Sequence, residues 1–422
     1  MVKNNRSTSF LTKYFILPVL NPMKNSSAFI AFVLIFTTLL IMCCQPRQEN
    51  TKHVKVYYEP GMFGGWPANF GIWTWDNEIL VGFSKGFYKD LGPEQHNIDR
   101  EKTELHLLAR SMDGGETWKV EDPGKSGALV LPSKGMYHGV PRTDVSPQAV
   151  SDCNVDINFK HPDFVLTART DDIDAGQSRF WYSYDRGHHW EGPCRLPNFD
   201  TPGTAARTDY IADSEKVCTL FLTAAKSNGK EGRVMCVRTT DGGKSWSFVS
   251  WIGPEPAGYA IMPASVRLSD HEILVTVRQK EGPHTPITTY FSSDNGLTWD
   301  QLNNAVDDTG EGNPPAMVKM KDGRVCLIYG YRADASDIES KIKTSDIRAK
   351  ISSDKGKTWS QDYVLRNDGS GRDIGYPRVV QRPDGKIVAI YYFMDKKTGP
   401  ERYIGATLWD PPPPGEQESV AD

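Results

Sequence analysis

A short pattern, Ser/Thr-x-Asp-x-Gly-x-x-Trp, occurs five times and constrains the fold of this chain more than any other feature. It reads Ser111-Met-Asp113-Gly-Gly115-Glu-Thr-Trp118, then Ser183-Tyr-Asp185-Arg-Gly187-His-His-Trp190. It returns as Thr239-Thr-Asp241-Gly-Gly243-Lys-Ser-Trp246 and Ser292-Ser-Asp294-Asn-Gly296-Leu-Thr-Trp299. The last copy is Ser352-Ser-Asp354-Lys-Gly356-Lys-Thr-Trp359. Successive aspartates stand 72, 56, 53 and 60 residues apart. An Asp side chain bonds nearby backbone N–H groups in a turn. Gly two positions on supplies a positive φ. The Trp then packs back under the turn as the next strand begins. Each copy is therefore expected to be a hairpin turn with its own plug. Five of the eleven tryptophans sit in these turns, so their first reading is structural.

The segments around the turns read as strands. Lys216–Ala224, Glu272–Arg278, Arg324–Gly330 and Lys386–Tyr392 are rich in β-branched or aromatic residues and bounded by turn signals. Asp322-Gly323 and Asp384-Gly385 are hairpin signals. No long amphipathic helix follows residue 50. A four-stranded unit of roughly 50 residues, repeated, is a propeller blade. The expected fold is all-β, a six-bladed β-propeller over residues 51–410. Five blades carry the turn motif, and a sixth without it contains Tyr376–Tyr392. The strand Glu401–Trp409 closes the ring against the N-terminal strand. Residues 411–422, with four consecutive prolines, read as a disordered tail.

Composition narrows the function. A net charge of −4 and a pI near 6.2 leave no basic footprint for nucleic acid. No spacing of His, Cys, Asp or Glu suggests a metal, and no cofactor is expected. Residues 1–44 read as a signal segment. Ala28–Met42 is an apolar run of fifteen residues, short for a membrane span, with Lys24 before it and Cys43-Cys44 after it. Met23 is a plausible true start. The cysteine pair resembles the lipid-attachment site of bacterial lipoproteins, although bulky Met42 precedes Cys43; an uncleaved anchor is the alternative. The expectation is an exported protein of the periplasm or cell surface, with membrane attachment through an N-terminal lipid. Cys218, Cys236 and Cys326 lie in apolar runs and read as buried thiols. Cys153 and Cys194 could pair.

The five repeats resemble the Asp-box (BNR) repeats of the sialidase, or neuraminidase, superfamily, over about residues 60–410. That resemblance implies a glycan substrate and an exo-glycosidase that removes a terminal, acidic sugar with retention. In that family arginines clamp the sugar carboxylate, a Tyr paired with a Glu is the nucleophile, and an Asp on a first-blade loop is the acid/base. Gly375-Tyr376-Pro-Arg-Val-Val resembles the segment bearing the nucleophile. Arg278 and Arg348 resemble the second and third clamp arginines. The loop 85–102 offers Asp99 as acid/base, with His96 second.

Two departures stand out. Gly65-Trp66-Pro67 occupies the position of the first arginine, and Met262 stands near the expected Glu. A polysaccharide lyase or another glycosidase on the same scaffold is therefore the alternative, with His138 or His96 and a tyrosine moving protons. A non-catalytic glycan-binding surface protein is a third reading. Each residue also has a structural reading: Tyr376 as an inner-strand aromatic, Arg278 and Arg348 as inter-blade ion pairs, His138 as a loop histidine. Trp66 is either a sugar-stacking ring or a plug. Asn69, Asn313 and Arg332, with Tyr331, are further candidates to face a substrate.

Overall fold

The computed structural model describes residues 47–48, 51–130, 138–340 and 343–415. Residues 1–44, read from the sequence as a signal segment, lie outside the described residues with Met23, Cys43 and Cys44, as does 416–422.

Six sheets follow one another along the chain, antiparallel except that Arg47–Gln48 pairs parallel with Tyr363–Gly369 of the fifth. The first blade contains Met62–Gly65 and Ile72–Trp75, both paired with Glu78–Phe87, then Leu105–Ser111 and Lys119–Glu121. The second contains Val165–Thr170, Ser178–Ser183 and Glu191–Arg195. The third opens with Thr204–Ala205 and Tyr210–Ala212 and continues through Cys218–Ala225, Glu231–Thr239 and Ser247–Ile252. The fourth runs from Tyr259–Arg267 to Asp300–Val306, and the fifth from Ala316–Lys319 to Tyr363–Gly369. The sixth consists of Gly375–Gln381, Ile387–Phe393 and Tyr403–Trp409. Its outer strand is Thr51–Tyr57, from the start of the described chain, paired with Tyr403–Trp409. Ring closure by an N-terminal strand is as expected. It removes the free edges that an open array of sheets would expose.

The ring is held between its blades. Six apolar clusters occupy the six interfaces between neighbours. The first–sixth interface, for example, packs Phe63, Ile79 and Val81 against Val388, Ile390 and Ile404. Each such side chain contributes about 1.5–3 kcal/mol on burial. A seventh, small cluster lies on the axis, where Ala68, Ile261 and Met262 meet Tyr376.

The five repeated turns behave as their sequence implies. In the first, Gly115 N–H donates to Ser111 Oγ at 2.8 Å and Thr117 N–H to Asp113 Oδ1 at 2.8 Å. Trp118 Nε1 donates back to Gly115 O at 3.0 Å. The Gly N–H to Ser/Thr oxygen bond recurs in all five, between 2.7 and 3.0 Å. Each turn joins the two outer strands of its blade, far from the axis.

Two details refine the sequence reading. Cys153 and Cys194 form a disulfide that ties the segment after the first blade to the outer strand of the second. Cys218, Cys236 and Cys326 are buried thiols. The expected tail is partly ordered: Pro412 is buried, and its carbonyl accepts from Arg324 Nη2 at 2.9 Å.

Candidate active site

The axial ends of the inner strands surround a cavity of about 390 Å3. Three non-glycine residues that line it have left-handed backbone: Trp66 (φ 55°), Met262 (φ 53°) and Tyr376 (φ 49°). Such conformations cost about 1–3 kcal/mol each and persist where the surroundings over-determine them. At Met262 and near Tyr376 the pairing of the inner strand with its neighbour shifts register, as a β-bulge does. The bulge turns a side chain that would lie in the sheet toward the axis.

Tyr376 is the most constrained of the three. Its backbone N–H donates to Asn313 Oδ1 at 2.9 Å, and Asn313 Nδ2 donates to Ile374 O at 2.9 Å. Asn313 is fully buried, so it positions Tyr376 instead of facing a ligand. Gly375, at φ 100°, has to be glycine here, since a Cβ would come within 2.3 Å of Asn313 Nδ2. Arg278 Nη1 donates to the Tyr376 hydroxyl at 3.0 Å. Gly312 makes room for that guanidinium: a Cβ there would lie 3.0 Å from Nη2. Arg332 stands behind, 5.3 Å from the Tyr376 ring, donating to Ile374 O at 3.0 Å and the Tyr392 hydroxyl at 2.6 Å. Burial pushes the Tyr376 phenol up, but Arg278, Arg332 and Arg207 outweigh it and hold the phenol below its ordinary range.

His96 faces the same cavity from the first-blade loop. Its Nδ1 lies 2.7 Å from Asp373 Oδ1. Asp373 is buried, and Arg402 Nε donates to its other oxygen at 3.2 Å. The Tyr392 hydroxyl donates to it as well. Burial alone would raise this carboxyl, yet His96, Arg402 and Arg332 together hold it well below the usual carboxylate range. An ionised Asp373 thus fixes the orientation of the His96 ring.

Trp66 is 2% exposed, and its ring is covered by His138 (centroids 4.2 Å apart), Phe63 (4.7 Å) and the edge of His96 (5.2 Å). It is the floor beneath two histidines, and offers no open face to a sugar. The loop carrying His138 is anchored by Glu104, whose Oε2 accepts from the N–H groups of His138 at 2.6 Å and Gly139 at 2.9 Å. Asn69 lines the cavity and accepts from Arg207 Nε at 3.3 Å.

Two expected residues are not brought here. Asp99 turns toward Lys89 (3.5 Å) and accepts from the Glu101 N–H at 3.1 Å, while its neighbour Arg100 reaches the cavity. Arg348 sits on the third strand of the fifth blade. It is bound by Asp346 at 2.7 Å and Asp362 at 3.1 Å and stacked over Tyr331 at 4.3 Å. Both carboxylates and the ring already occupy its guanidinium, in ion pairs that lie within the fifth blade and not between blades. Met262 stands near Arg278, its sulfur 4.0 Å from Nη1.

Sequence reasoning missed Arg207, Glu231 and Asp373. Arg207 and Glu231 line the cavity and pair with each other. A positional signal existed. Met262 precedes the aspartate of its blade's turn motif by 32 residues, and Arg207 precedes that of the third blade by 34. Both lie in the inner-strand segment of their blade.

The BNR repeat-like domain family matches residues 164–389, more than half of the chain. The protein belongs to this family. No curated protein matches it. Among solved structures, this BNR-repeat propeller is similar to a protein of unknown function from Dyadobacter fermentans. The TM-score is 0.63 at 16% identity, over 86% of this chain and 98% of that one. It is also similar to an α-L-arabinanase of Penicillium chrysogenum, with TM-score 0.52 at 13% identity, over 86% and 98%. A Trypanosoma rangeli sialidase mutant with trans-sialidase activity gives TM-score 0.51 at 11% identity, over 86% and 59%. At these identities the likeness carries the fold, that of the sialidase-like propellers, and no chemistry.

Proposed function

We propose that this BNR-repeat protein is an exo-glycosidase that removes a terminal, acidic sugar from a glycan. One observation carries the reading: Tyr376, held by Arg278, and His96, held by Asp373, face one small cavity with three arginines and a single carboxylate. About 390 Å3 is small for a ligand pocket and suits one sugar ring better than a chain. In this reading Arg278 faces the sugar carboxylate, and His96 gives a proton to the leaving oxygen. Tyr376 attacks the anomeric carbon, and water later displaces it with retention. His96 takes the acid/base role in place of Asp99. Export, with lipid attachment at Cys43 or Cys44, is part of the proposal; the Cys153–Cys194 disulfide suits an oxidising compartment.

A second reading is favoured by one specific feature. The hydroxyl of Tyr376 has an arginine, and no carboxylate, as its hydrogen-bond partner among the described residues. Such a phenol is poised to act as a base. In an elimination, Tyr376 takes the proton from the carbon beside a uronate carboxyl, the bond to the leaving oxygen breaks, and His96 protonates that oxygen. The product keeps a conjugated double bond.

One experiment separates the two. The chain, beginning after Cys44, is incubated with a fluorogenic α-sialoside and, separately, with uronate-containing polysaccharides, beside its Tyr376→Phe variant. Dye release that collapses in the variant supports hydrolysis. Ultraviolet absorbance from the polysaccharide, lost in the variant, supports elimination. Neither signal from folded protein rejects both and leaves the glycan-binding reading.

A further inference from the structure

A second pocket opens beside the axial cavity, on the same face of the propeller. Residues 88–97, 336–339 and 394–402 contribute to its walls, from the links between the second and third strands of the first, fifth and sixth blades. The segment 370–372, which leads into the inner strand of the sixth blade, completes them. The repeated turns join third to fourth strands and so lie at the other end of each blade. The lateral pocket has a volume of about 550 Å3, against about 390 Å3 for the axial cavity.

The two spaces share one wall. His96 lines the axial cavity and Arg402 lines the lateral pocket. Asp373 joins them, 2.7 Å from His96 Nδ1 and 3.2 Å from Arg402 Nε. Arg402 is 2% exposed, and its Nη1 donates to Pro400 O at 2.9 Å. This wall is therefore a fixed part of the fold.

Charge distinguishes the two spaces. The lateral pocket is lined by Arg372 and Arg402 against Asp90 and Glu339, which balance. Both arginines are already paired, Arg372 with Glu94 and Glu311, and Arg402 with Asp373. The axial cavity instead has three arginines against Glu231. An ion entering the lateral pocket would lose water and meet no free counter-charge there. The lining suits a neutral ligand: Tyr88, Asn97 and Ser370 bring hydroxyl and amide groups beside the apolar surfaces of Pro93 and Met394. A pyranose ring has the matching mixture, with hydroxyls at its edge and C–H groups on its faces.

We propose that the lateral pocket binds the neutral sugar that follows the terminal acidic one, so that the substrate is an acidic sugar capping a neutral glycan. The inference rests on the glycosidase reading of the axial cavity and deepens it. A proton donor stands on the leaving-group side of the bond it helps to break. His96 has that role in the reading, and the pocket lies beyond it, across Asp373 and Arg402. Binding energy from this remote sugar assists the step at Tyr376.

Two measurements on the full chain test the pocket. Titration calorimetry with lactose, N-acetyllactosamine and cellobiose, none of which has an acidic sugar, needs no turnover. The parent should bind at least one of them. Ser370→Trp, which fills the pocket from a half-buried position, should weaken that binding about tenfold or more. Tyr88→Ala, which removes a ring from the wall, should do the same and serves where Ser370→Trp fails to fold. Kinetics then compare sialyllactose with a fluorogenic α-sialoside that lacks the neutral sugar. Each variant should lower kcat/KM about tenfold for sialyllactose and leave the dye substrate within about twofold of the parent. Binding of no neutral sugar by the parent overturns the proposal, as does equal binding by parent and folded variants. An equal loss on both substrates also overturns it. Neutral-sugar binding that the variants lose, without cleavage of any glycoside, would retain the lateral site and reject the glycosidase reading.

Discussion

Arg278 Nη1 donates to the Tyr376 hydroxyl at 3.0 Å, and among the described residues no carboxylate shares that hydroxyl. An arginine stabilises the phenolate, whereas a carboxylate would stabilise the phenol. In the proposed function the pair therefore prepares Tyr376 to act as an anion, whether it attacks carbon or takes a proton.

The pH dependence follows with a definite sign. Burial raises the Tyr376 phenol, and the arginines more than offset it. If the phenolate is the working form, activity rises with pH through the phenol's ionisation. Arg278→Met removes the nearest positive charge, so the rising limb of kcat/KM should move to higher pH. Tyr376→Phe should abolish the limb and lower kcat by about 10²–10⁴. Ultraviolet difference titration near the tyrosinate band, parent against Tyr376→Phe, reads the same ionisation without substrate. A limb that stays in place in Arg278→Met would show that Arg278 does not tune this group.

Asp373 should be more important to folding than its place behind His96, outside the cavity lining, suggests. Arg402, Arg332, Tyr392 and His96 converge on it, and Arg402 is almost wholly buried. Asp373→Ala leaves buried cations without their counter-charge, which costs about 3–5 kcal/mol. Urea unfolding should show a lower midpoint with little change in slope. Asp373→Asn keeps the shape and should cost less, while kcat still falls because the His96 ring loses its orienting charge. Equal stability of the Ala variant and the parent would contradict this account.

The fold was far more legible than the site. A turn motif is local: Ser111, Asp113, Gly115 and Trp118 all bond within one turn, so eight consecutive residues carry the whole signal. Tyr376 and Arg278 were readable because they fall in motif-like strands. Arg348 and Asp99 were misplaced for a different reason. Arg348 lies on the third strand of its blade, away from the axis, and a loop residue such as Asp99 has no strand period to fix where its side chain points. Arg348 met Asp346 and Asp362 instead, and Arg100 took the place beside Asp99. Arg207 and Glu231 stand 24 residues apart within the third blade, and Asp373 lies in the connection from the fifth blade to the sixth, so their contacts are set by the folded sheets and not by neighbours in the sequence. Nothing local marks such residues.

The repeated turns should make the protein acid-sensitive. Hydrogen bonds from the Ser245 hydroxyl and backbone N–H hold the Asp241 carboxyl down to about 2. A carboxyl lowered in the folded state contributes stability above its unfolded ionisation, and that contribution is lost as pH falls through the folded value. Tm should therefore decline as pH drops from about 4 toward about 2. Asp241→Ala should lower Tm at pH 7 and flatten part of that decline. A parallel acid profile in parent and variant would count against the turn carboxylate as a source of it.

The disulfide should matter through the unfolded chain. Cys153 and Cys194 are 41 residues apart, and closing a loop of that length restricts the unfolded state by about 4 kcal/mol in the chain-entropy estimate. Cys153→Ser/Cys194→Ser should lower the unfolding midpoint, and a reductant should do the same to the parent and nothing further to the variant. A reductant effect in the double variant would point to another cause.

Met262 offers the sharpest test of the arginine–tyrosine pair. It occupies the bulge of the fourth blade's inner strand with φ 53°, and its sulfur stands 4.0 Å from Arg278 Nη1. Met262→Glu puts a carboxylate beside that guanidinium in a side chain of similar length. The new anion competes with Tyr376 for Arg278 and repels the phenolate, so the phenol's ionisation should move to higher pH. Met262→Gln, of the same shape without the charge, should leave it nearly in place. If hydrolysis uses a neutral tyrosine assisted by a carboxylate, Met262→Glu should raise sialoside cleavage while reducing any elimination. If the phenolate does the work, both activities should fall at neutral pH and recover as pH rises. Measuring both reactions across pH in the two variants therefore decides which ionic form of Tyr376 is the active one.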